Sequence, residues 1–556
     1  MTHTTQRSHE GNPQGPKVTA TRDDPRAATI EEIQPIVDRG DQGYAETLTN
    51  RQVQMMAIGG AIGVGLFLGA GSRLRSAGPA VLISYAFCAV IAFLVMRALG
   101  ELVIHRPSSG SFVSYARELL GDRWAYAVGW MYMLNWMTSG IAELTAIGTY
   151  LQFWWPSLLM WVPSLVALMI LVSVNLISVK AFGEFEFWAA LLKVVALTAF
   201  IIVAIGLVAS HVNVGGHRAA VSNLWRFDGG FAPQGVLPLI LVIQGVIFAY
   251  ATIELVGTAS GETQNPRKVI PKAVHAVVFR LVVFYLGSLA LLAMLLPYKE
   301  YSADESPFVT AFSAMGVGWI GDAMNIVVIT AAFSSVNSGL YATGRVLKSL
   351  AAAGEAPKFA GTLNRFKTPS GGILMTASVF LLGVGLEYVV PERAFEISIN
   401  TAAVGVIWTW ATIFWCQLVL RRQVNEGRIT DSGFHMPGYP ITGIFGIVSL
   451  AGVTALMVLD PQNRIVLAAS LVYIAVMLVA WPAVKRNKAR HPELNAQEDI
   501  IFDEVPHHEA AGTLVRDKTT KQLPQYTIFI ASRTSANVWS ATAAAFALPS
   551  RRTSRR

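Results

Sequence analysis

Charged residues are scarce in this sequence. Asp, Glu, Lys and Arg make up 14% of its 556 residues, whereas hydrophobic residues make up 53%. Soluble globular proteins carry about 25% charged residues, so the chain lies outside their range. The composition therefore predicts a polytopic, all-α membrane protein.

Cysteine and the common catalytic motifs are also nearly absent. The two cysteines, Cys88 and Cys416, lie inside apolar segments, so no disulfide framework or zinc-binding spacing exists. We find no Walker loop, nucleophile elbow, dinucleotide fingerprint or metal-binding histidine pair. These absences argue against an enzyme, an ATP-driven pump, a metal site and an organic cofactor.

The chain has a net charge of +8 at pH 7, and its lysines and arginines lie mainly in the connections between its apolar segments. This distribution predicts membrane topology rather than nucleic-acid binding. If the N-terminus is inside, the inner connections carry 15 lysines and arginines and the outer connections 7. The positive-inside rule then places both termini in the cytoplasm of a multi-pass protein of the cell membrane.

About twelve segments are long enough to cross a bilayer, since one crossing takes roughly 20 apolar residues. They form a membrane domain at residues 51–486, flanked by polar tails at 1–50 and 487–556 that we interpret as disordered and cytoplasmic. The segments run over residues 53–74, 79–102, 124–153, 159–178, 185–208, 235–260, 272–296, 321–350, 372–390, 395–420, 441–459 and 465–484.

Glycine interrupts the first apolar segment. MMAIGGAIGVGLFLGAGSRL, residues 55–74, has glycines at positions 59, 60, 63, 65, 69 and 71. Each glycine in a helix interior costs roughly 1 kcal/mol relative to alanine. The pattern indicates a helix broken near Gly63, Val64 and Gly65, where free backbone amides would bind a substrate carboxylate. A packing face of small residues is the alternative.

The sixth segment carries a carboxylate deep in an apolar run, Glu254 in FAYATIELVG at residues 248–257. A charge near the bilayer interior costs at least about 2.5 kcal/mol, so it normally faces a cavity or a partner. If the helix opens between Ala249 and Thr252, its carbonyls would receive a substrate ammonium. Paired interruptions indicate a transporter binding site between inverted repeats. The alternative is a continuous helix with Glu254 ion-paired.

Two further ionisable residues lie inside predicted segments. Lys193 lies roughly 12 Å beyond the start of the fifth segment. It either exchanges a proton during transport or extends back to the lipid headgroups. Glu143 in the third segment is either a proton relay or a member of a structural pair.

Six motifs along the chain resemble those of the bacterial amino acid permeases of the amino acid-polyamine-organocation superfamily. They are IGGAIGVGLF at 58–67, GEL at 100–102, PSSGSF at 107–112, EFW at 186–188, IELVG at 253–257 and NSGLY at 337–341. The resemblance extends over roughly residues 43–484. The motifs at 41–44, 105–112 and 395–397 are most similar to those of the asparagine-transporting members.

The resemblance implies twelve helices, of which the first ten form a five-plus-five inverted repeat of the leucine-transporter type with helices 1 and 6 broken. It also implies proton-coupled import of L-asparagine across the plasma membrane, with the proton as coupling ion. The alternatives are import of another small neutral or acidic amino acid (aspartate, serine, alanine or glycine) and a non-transporting amino acid sensor with the same fold.

The resemblance further implies where the substrate and the proton bind. The backbone near Gly63, Val64 and Gly65 would hold the carboxylate, although Val64 stands where the family usually has a hydroxyl-bearing residue. The full set of predicted substrate-binding residues is Ala61, Gly63, Val64, Gly65, Phe248, Ala249, Ala251, Asn135 and Thr138, of which the last two are candidates for side-chain recognition. The predicted proton-coupling and gating residues are Lys193, Glu254 and Glu143.

Overall fold

The computed structural model describes residues 48–490 except 60–61, 178, 228, 264–265, 303–304, 317 and 390. Most of both predicted tails and Ala61 therefore lie outside the described residues. The described part of the chain is mainly α-helical, with one antiparallel hairpin formed by β1 (Asn213–Val214) and β2 (His217–Arg218).

Apolar runs become helices because a bilayer offers no hydrogen-bond partner to backbone groups, and a helix satisfies them internally. A π-helical turn occurs at Leu281–Gly287, and short 3₁₀ turns occur at Gly78–Ala80, Ser260–Glu262, Tyr298–Glu300, Lys358–Gly361 and Met457–Leu459. The helices are α1 (Asn50–Gly59), α2 (Val64–Phe67), α3 (Gly69–Ala77), α4 (Val81–His105), α5 (Phe112–Leu120), α6 (Asp122–Gln152), α7 (Trp161–Ile177), α8 (Val179–Ala209), α9 (Asn223–Arg226), α10 (Val236–Leu241), α11 (Ile243–Ala249), α12 (Leu255–Ala259), α13 (Pro266–Arg280), α14 (Ser288–Leu295), α15 (Pro307–Ser313), α16 (Gly318–Ala352), α17 (Ser370–Val389), α18 (Pro391–Asn425), α19 (Ile441–Leu456) and α20 (Pro461–Arg490).

Seven helical runs in the described part of the chain are long and apolar enough to cross a membrane. Three shorter apolar helical runs accompany them, at Trp161–Ile177, Val236–Ala249 and Ser370–Gly385. The predicted third segment corresponds to α6, which is 31 residues long and rich in tryptophan, tyrosine and polar residues. The chain is thus a mostly helical, multi-pass membrane protein. The seven long runs are Val64–His105, Val179–Ala209, Pro266–Leu295, Trp319–Ala352, Ile397–Asn425, Ile441–Leu459 and Asn463–Arg490.

The first predicted segment is interrupted within its glycine-rich stretch. Helix α1 ends at Gly59, and α2 begins at Val64. Gly63, directly before α2, is extended, with φ −119° and ψ −166°. The predicted sixth segment is interrupted as well, since α11 ends at Ala249 and α12 begins at Leu255.

Thr252 and Glu254 define the second interruption. Thr252 has φ +75°, in the left-handed region that a β-branched residue rarely adopts. The indole Nε1 of Trp410 on α18 donates a hydrogen bond to Glu254 Oε2 at 3.2 Å. The carboxylate of Glu254 therefore connects the interrupted stretch to α18 within the protein interior.

A buried ion pair joins α16 to the turn that follows α12. Arg345 Nε lies 3.1 Å from Glu262 Oε1, and the Tyr341 hydroxyl donates to Glu262 Oε2 at 3.0 Å. The Tyr341 ring stacks on Phe182 of α8, with 4.0 Å between the ring centroids. The backbone N–H of Leu48 donates to the Glu262 carbonyl at 3.1 Å. Glu262 thereby links the chain before α1, α12 and α16.

Replacing Arg345 with methionine is expected to destabilise the protein by about 3–5 kcal/mol, because it leaves the buried Glu262 carboxylate without its cation. The midpoint of thermal unfolding in detergent measures the effect. The matched control is Arg422→Met, which removes an exposed partner of Glu426 and should leave the midpoint nearly unchanged, since exposed pairs contribute little. Equal midpoints for the two variants would contradict this role of the buried pair.

Candidate functional site

A narrow cavity lies between the two interruptions. The first amides and the last carbonyls of a helix have no partners within that helix, so two facing interruptions bring both kinds of group to one place. Side chains of α6 and α16 complete the wall. The lining residues are Gly63, Gly65, Trp136, Ser139, Glu143, Phe248, Ala249, Ala251, Thr252 and Ser335.

Two glycines allow the interrupted stretches to approach each other and the neighbouring helices. A Cβ atom added to Gly65 would lie 2.7 Å from the Cα atom of Ala249, closer than real Cβ contacts. A Cβ atom added to Gly63 would lie 2.8 Å from Ser335 Oγ and 3.2 Å from Glu143 Oε1. Position 65 therefore requires glycine because the neighbouring atom belongs to the backbone, whereas a larger residue at position 63 would displace the side chains of Ser335 and Glu143.

Hydrogen bonds hold the carbonyls at the interruptions in place. The Tyr285 hydroxyl donates to the Ala249 carbonyl at 2.8 Å. On the other stretch, Arg73 Nη1 donates to the Gly65 carbonyl at 2.7 Å and to the Tyr85 hydroxyl at 3.2 Å. A carbonyl oxygen has two lone pairs, so the Ala249 oxygen keeps acceptor capacity for a ligand.

The cavity brings together six residues selected from the sequence, namely Gly63, Gly65, Phe248, Ala249, Ala251 and Glu143. Val64, Asn135, Lys193 and Glu254 are buried but do not belong to the lining of this cavity. Ala61 lies outside the described residues. The geometry therefore assembles the two broken stretches and one carboxylate around the cavity.

Asn135 and Thr138 do not reach the cavity. The Thr138 hydroxyl donates to the Leu134 carbonyl of its own helix at 2.8 Å. The Asn135 side-chain oxygen accepts a hydrogen bond from the Ser139 hydroxyl at 3.1 Å. Ser139 lines the cavity, so Asn135 contacts a lining residue instead of lining the cavity itself.

Four lining residues were not selected from the sequence, Trp136, Ser139, Thr252 and Ser335. Positions 136, 139 and 143 are spaced i, i+3 and i+7, which places them on one helix face. Counting back from Glu143 at this spacing would have identified Trp136 and Ser139. Ser335 had no such signal, because only the packing of α16 against the interruption brings it to the cavity.

Glu143 faces the beginning of α2 from α6. Its carboxylate interacts with the Ser335 side chain and the Val64 backbone amide. The side chain is buried, and its Oε2 atom has no hydrogen-bond partner among the described residues. A buried carboxylate oxygen without a partner is costly, which is typical of a functional group.

Lys193 is fully buried and forms hydrogen bonds within the protein interior. Its Nζ atom donates to Ser334 Oγ at 2.9 Å, and the Ser334 hydroxyl donates to Glu186 Oε1 at 2.5 Å. Asn337 Nδ2 donates to Glu186 Oε2 at 3.4 Å. Ser334 precedes the lining residue Ser335 on α16, so this polar network adjoins the cavity.

An interior cavity between two interrupted helices, with ionisable groups inside apolar helices, is the arrangement of a membrane transporter. The family model for amino acid permeases matches residues 52–496 of this chain. The chain therefore belongs to the amino acid permease family, and the resemblance found in its motifs is confirmed.

Several relatives cover nearly the whole membrane domain. The chain is 53% identical over 455 residues to an L-asparagine permease of Streptomyces coelicolor, a match covering 81% of this chain and 93% of the relative. An L-asparagine permease of Salmonella typhimurium is 50% identical over 475 residues, which cover 85% of this chain and 95% of the relative. An L-asparagine permease of Escherichia coli is 48% identical over 472 residues, which cover 84% of this chain and 94% of the relative. These relatives are named as transporters, not enzymes.

Replacing Gly65 with alanine is expected to weaken amino acid uptake, because the added methyl group would force α2 away from Ala249. Overpacking of this kind destabilises a packed region by about 1–3 kcal/mol, and here the strain falls on the wall of the cavity. Uptake of a mixture of radiolabelled amino acids by cells expressing each variant measures the effect. Gly206→Ala on α8 is the control, since an added Cβ there has nothing within 4 Å. Equal uptake by both variants would show that the close approach is unimportant.

Proposed function

We propose that this protein is a secondary active transporter that imports L-asparagine together with protons across the plasma membrane. The observation that carries the proposal is the cavity between the two interrupted helices. Its chemistry suits an α-amino acid, because backbone amides and carbonyls from separate stretches border one small space. The L-asparagine permeases that are about half identical to this chain support the choice of substrate.

The proposed architecture has twelve membrane spans, of which the first ten form a five-plus-five inverted repeat. The interruptions after α1 and after α11 would then occupy equivalent positions in the two repeats, as in transporters whose substrate site lies near the bilayer midplane. The excess of lysine and arginine in alternate connections supports cytoplasmic positions for both termini.

The substrate carboxylate would bind the backbone around Gly63, Val64 and Gly65, with Ala61 next to it in the chain. The ammonium would bind carbonyls at Phe248, Ala249 and Ala251. Hydroxyl groups of the lining residues Ser139 and Thr252 could then approach the carboxamide of the side chain, with Asn135 orienting Ser139. A site that hydrogen-bonds a substrate amide rejects analogues lacking it, because its buried polar groups would be left unpaired.

Proton coupling would use Lys193, Glu143 and Glu254. Lys193 donates a hydrogen bond to Ser334 of α16, and Glu254 accepts one from Trp410 of α18. A change of charge at either residue would therefore alter a contact between helices. Substrate and proton would load from outside, the half-helices would close over the cavity, and both would be released inside.

Purified protein in proteoliposomes is expected to accumulate radiolabelled L-asparagine when an inward proton gradient is imposed. Unlabelled L-asparagine should compete more strongly than aspartate, serine, alanine or glycine, since those side chains lack the carboxamide. Stronger competition by one of the other four would assign a different substrate. Binding without uptake would contradict transport and support an amino acid sensor.

Replacing Lys193 with alanine is expected to abolish accumulation driven by a proton gradient, because the buried amino group would be lost from the network with Ser334 and Glu186. Exchange of internal for external L-asparagine without a gradient separates loss of coupling from loss of folding. The control is Lys180→Ala, which removes an exposed lysine from the same helix. Full gradient-driven accumulation by the Lys193 variant would remove this residue from the mechanism.

A further inference from the structure

Glu143 lies where a bound amino acid would place its own carboxylate. The Glu143 carboxylate interacts with the Val64 amide and the Ser335 side chain. Gly63 and Gly65, on either side of Val64, line the same cavity as Glu143. The protein thus already directs one carboxylate toward the stretch that is proposed to receive the carboxylate of the substrate.

We propose that ionised Glu143 competes with the substrate carboxylate for this place, so that an amino acid binds only to the form in which Glu143 is protonated. The inference rests on the proposed function and deepens it, because it assigns the proton that binds together with the substrate to one residue of the substrate cavity. It makes Glu143 a direct partner of the substrate.

Charge and hydrogen-bond chemistry both favour this competition. Two ionised carboxylates in one buried cavity repel each other, and the binding of one favours the neutral form of the other. An ionised carboxylate only accepts hydrogen bonds, whereas the protonated acid can donate one. Oε2 of Glu143 has no partner among the described residues, so a proton on this atom is available for a hydrogen bond to the substrate carboxylate.

Other titratable groups also face Glu143. They are Lys193 from α8, Tyr150 from α6 and Tyr285 from the π-helical turn before α14. Lys193 is bonded to Ser334, and Tyr285 is bonded to the Ala249 carbonyl. Glu143 is the carboxylate that lines the cavity, whereas Glu186 accepts its hydrogen bonds from Ser334 and Asn337 in the adjoining network.

The inference predicts that one proton is taken up for each amino acid bound. The affinity of the wild-type protein for L-asparagine should therefore be highest at acid pH and fall by about tenfold for each pH unit above the titration of Glu143. Glu143→Gln replaces the acid with a neutral group of the same shape. Its affinity should match that of the wild type at acid pH and remain constant as the pH rises.

The slope of affinity against pH is measured by equilibrium binding of radiolabelled L-asparagine. The purified full-length protein is used in detergent, over an acid-to-alkaline pH series. A pH indicator in weak buffer measures proton uptake on binding, which should be lost in Glu143→Gln. The matched control is Glu184→Gln, which removes the carboxylate of an exposed pair with Arg51 and should keep the wild-type slope. If the glutamine variant fails to fold, Glu143→Asp takes its place in the test. This variant retains an ionisable group, so its affinity for L-asparagine should still fall as the pH rises.

Three results with the variants would overturn the inference. They are a wild-type slope retained by a folded Glu143→Gln variant, loss of binding by that variant at every pH, and pH-independent binding by Glu143→Asp. Wild-type protein that binds L-asparagine equally at all pH values would also overturn it, while leaving the proposed substrate intact. Wild-type protein that binds no amino acid would instead contradict the proposed function, and the inference with it.

Discussion

The structure depends on how the backbone of two interrupted helices is satisfied inside a protein that crosses lipid. Lipid offers no hydrogen bonds, so groups released from a helix must find partners in the protein or face a cavity. Here Arg73 donates a hydrogen bond to the Gly65 carbonyl, Tyr285 donates one to the Ala249 carbonyl, and Trp410 donates one to Glu254 within the second interruption. These contacts keep both stretches open and position the cavity between them.

The same constraint explains why polar residues of distant segments are connected. A buried network of hydrogen bonds connects Glu186, Lys193 and Ser334, and Asn337 also donates to Glu186. Asn175 Nδ2 joins this network by donating to Asn337 Oδ1 at 2.8 Å. This network joins α7, α8 and α16 next to the cavity. Each member would be costly to bury alone, and the network gives these polar groups partners across three helices.

Much of the membrane architecture and part of the site could be predicted from residue patterns. Apolar runs predict helices because length and composition decide whether a segment enters a bilayer, and the clustered glycines at positions 59–65 predict the first interruption because glycine is disfavoured in a helix interior. Asn135 and Thr138 were selected as polar residues of the third segment, but the side chain of Thr138 bonds its own helix. Helix rotation decides which polar side chain faces the cavity, and composition does not reveal it.

The sequence by itself determined the membrane class and the family, and it indicated the interrupted stretches and the ionisable residues inside apolar segments, because these depend on local composition and on motifs. Only the tertiary structure decided that Glu143 and Ser335 meet the beginning of α2, that Lys193 bonds Ser334, and that Glu254 bonds Trp410. These contacts join residues far apart in the chain. Their existence follows from the packing of α6, α8, α16 and α18 around the interruptions, which no local pattern specifies.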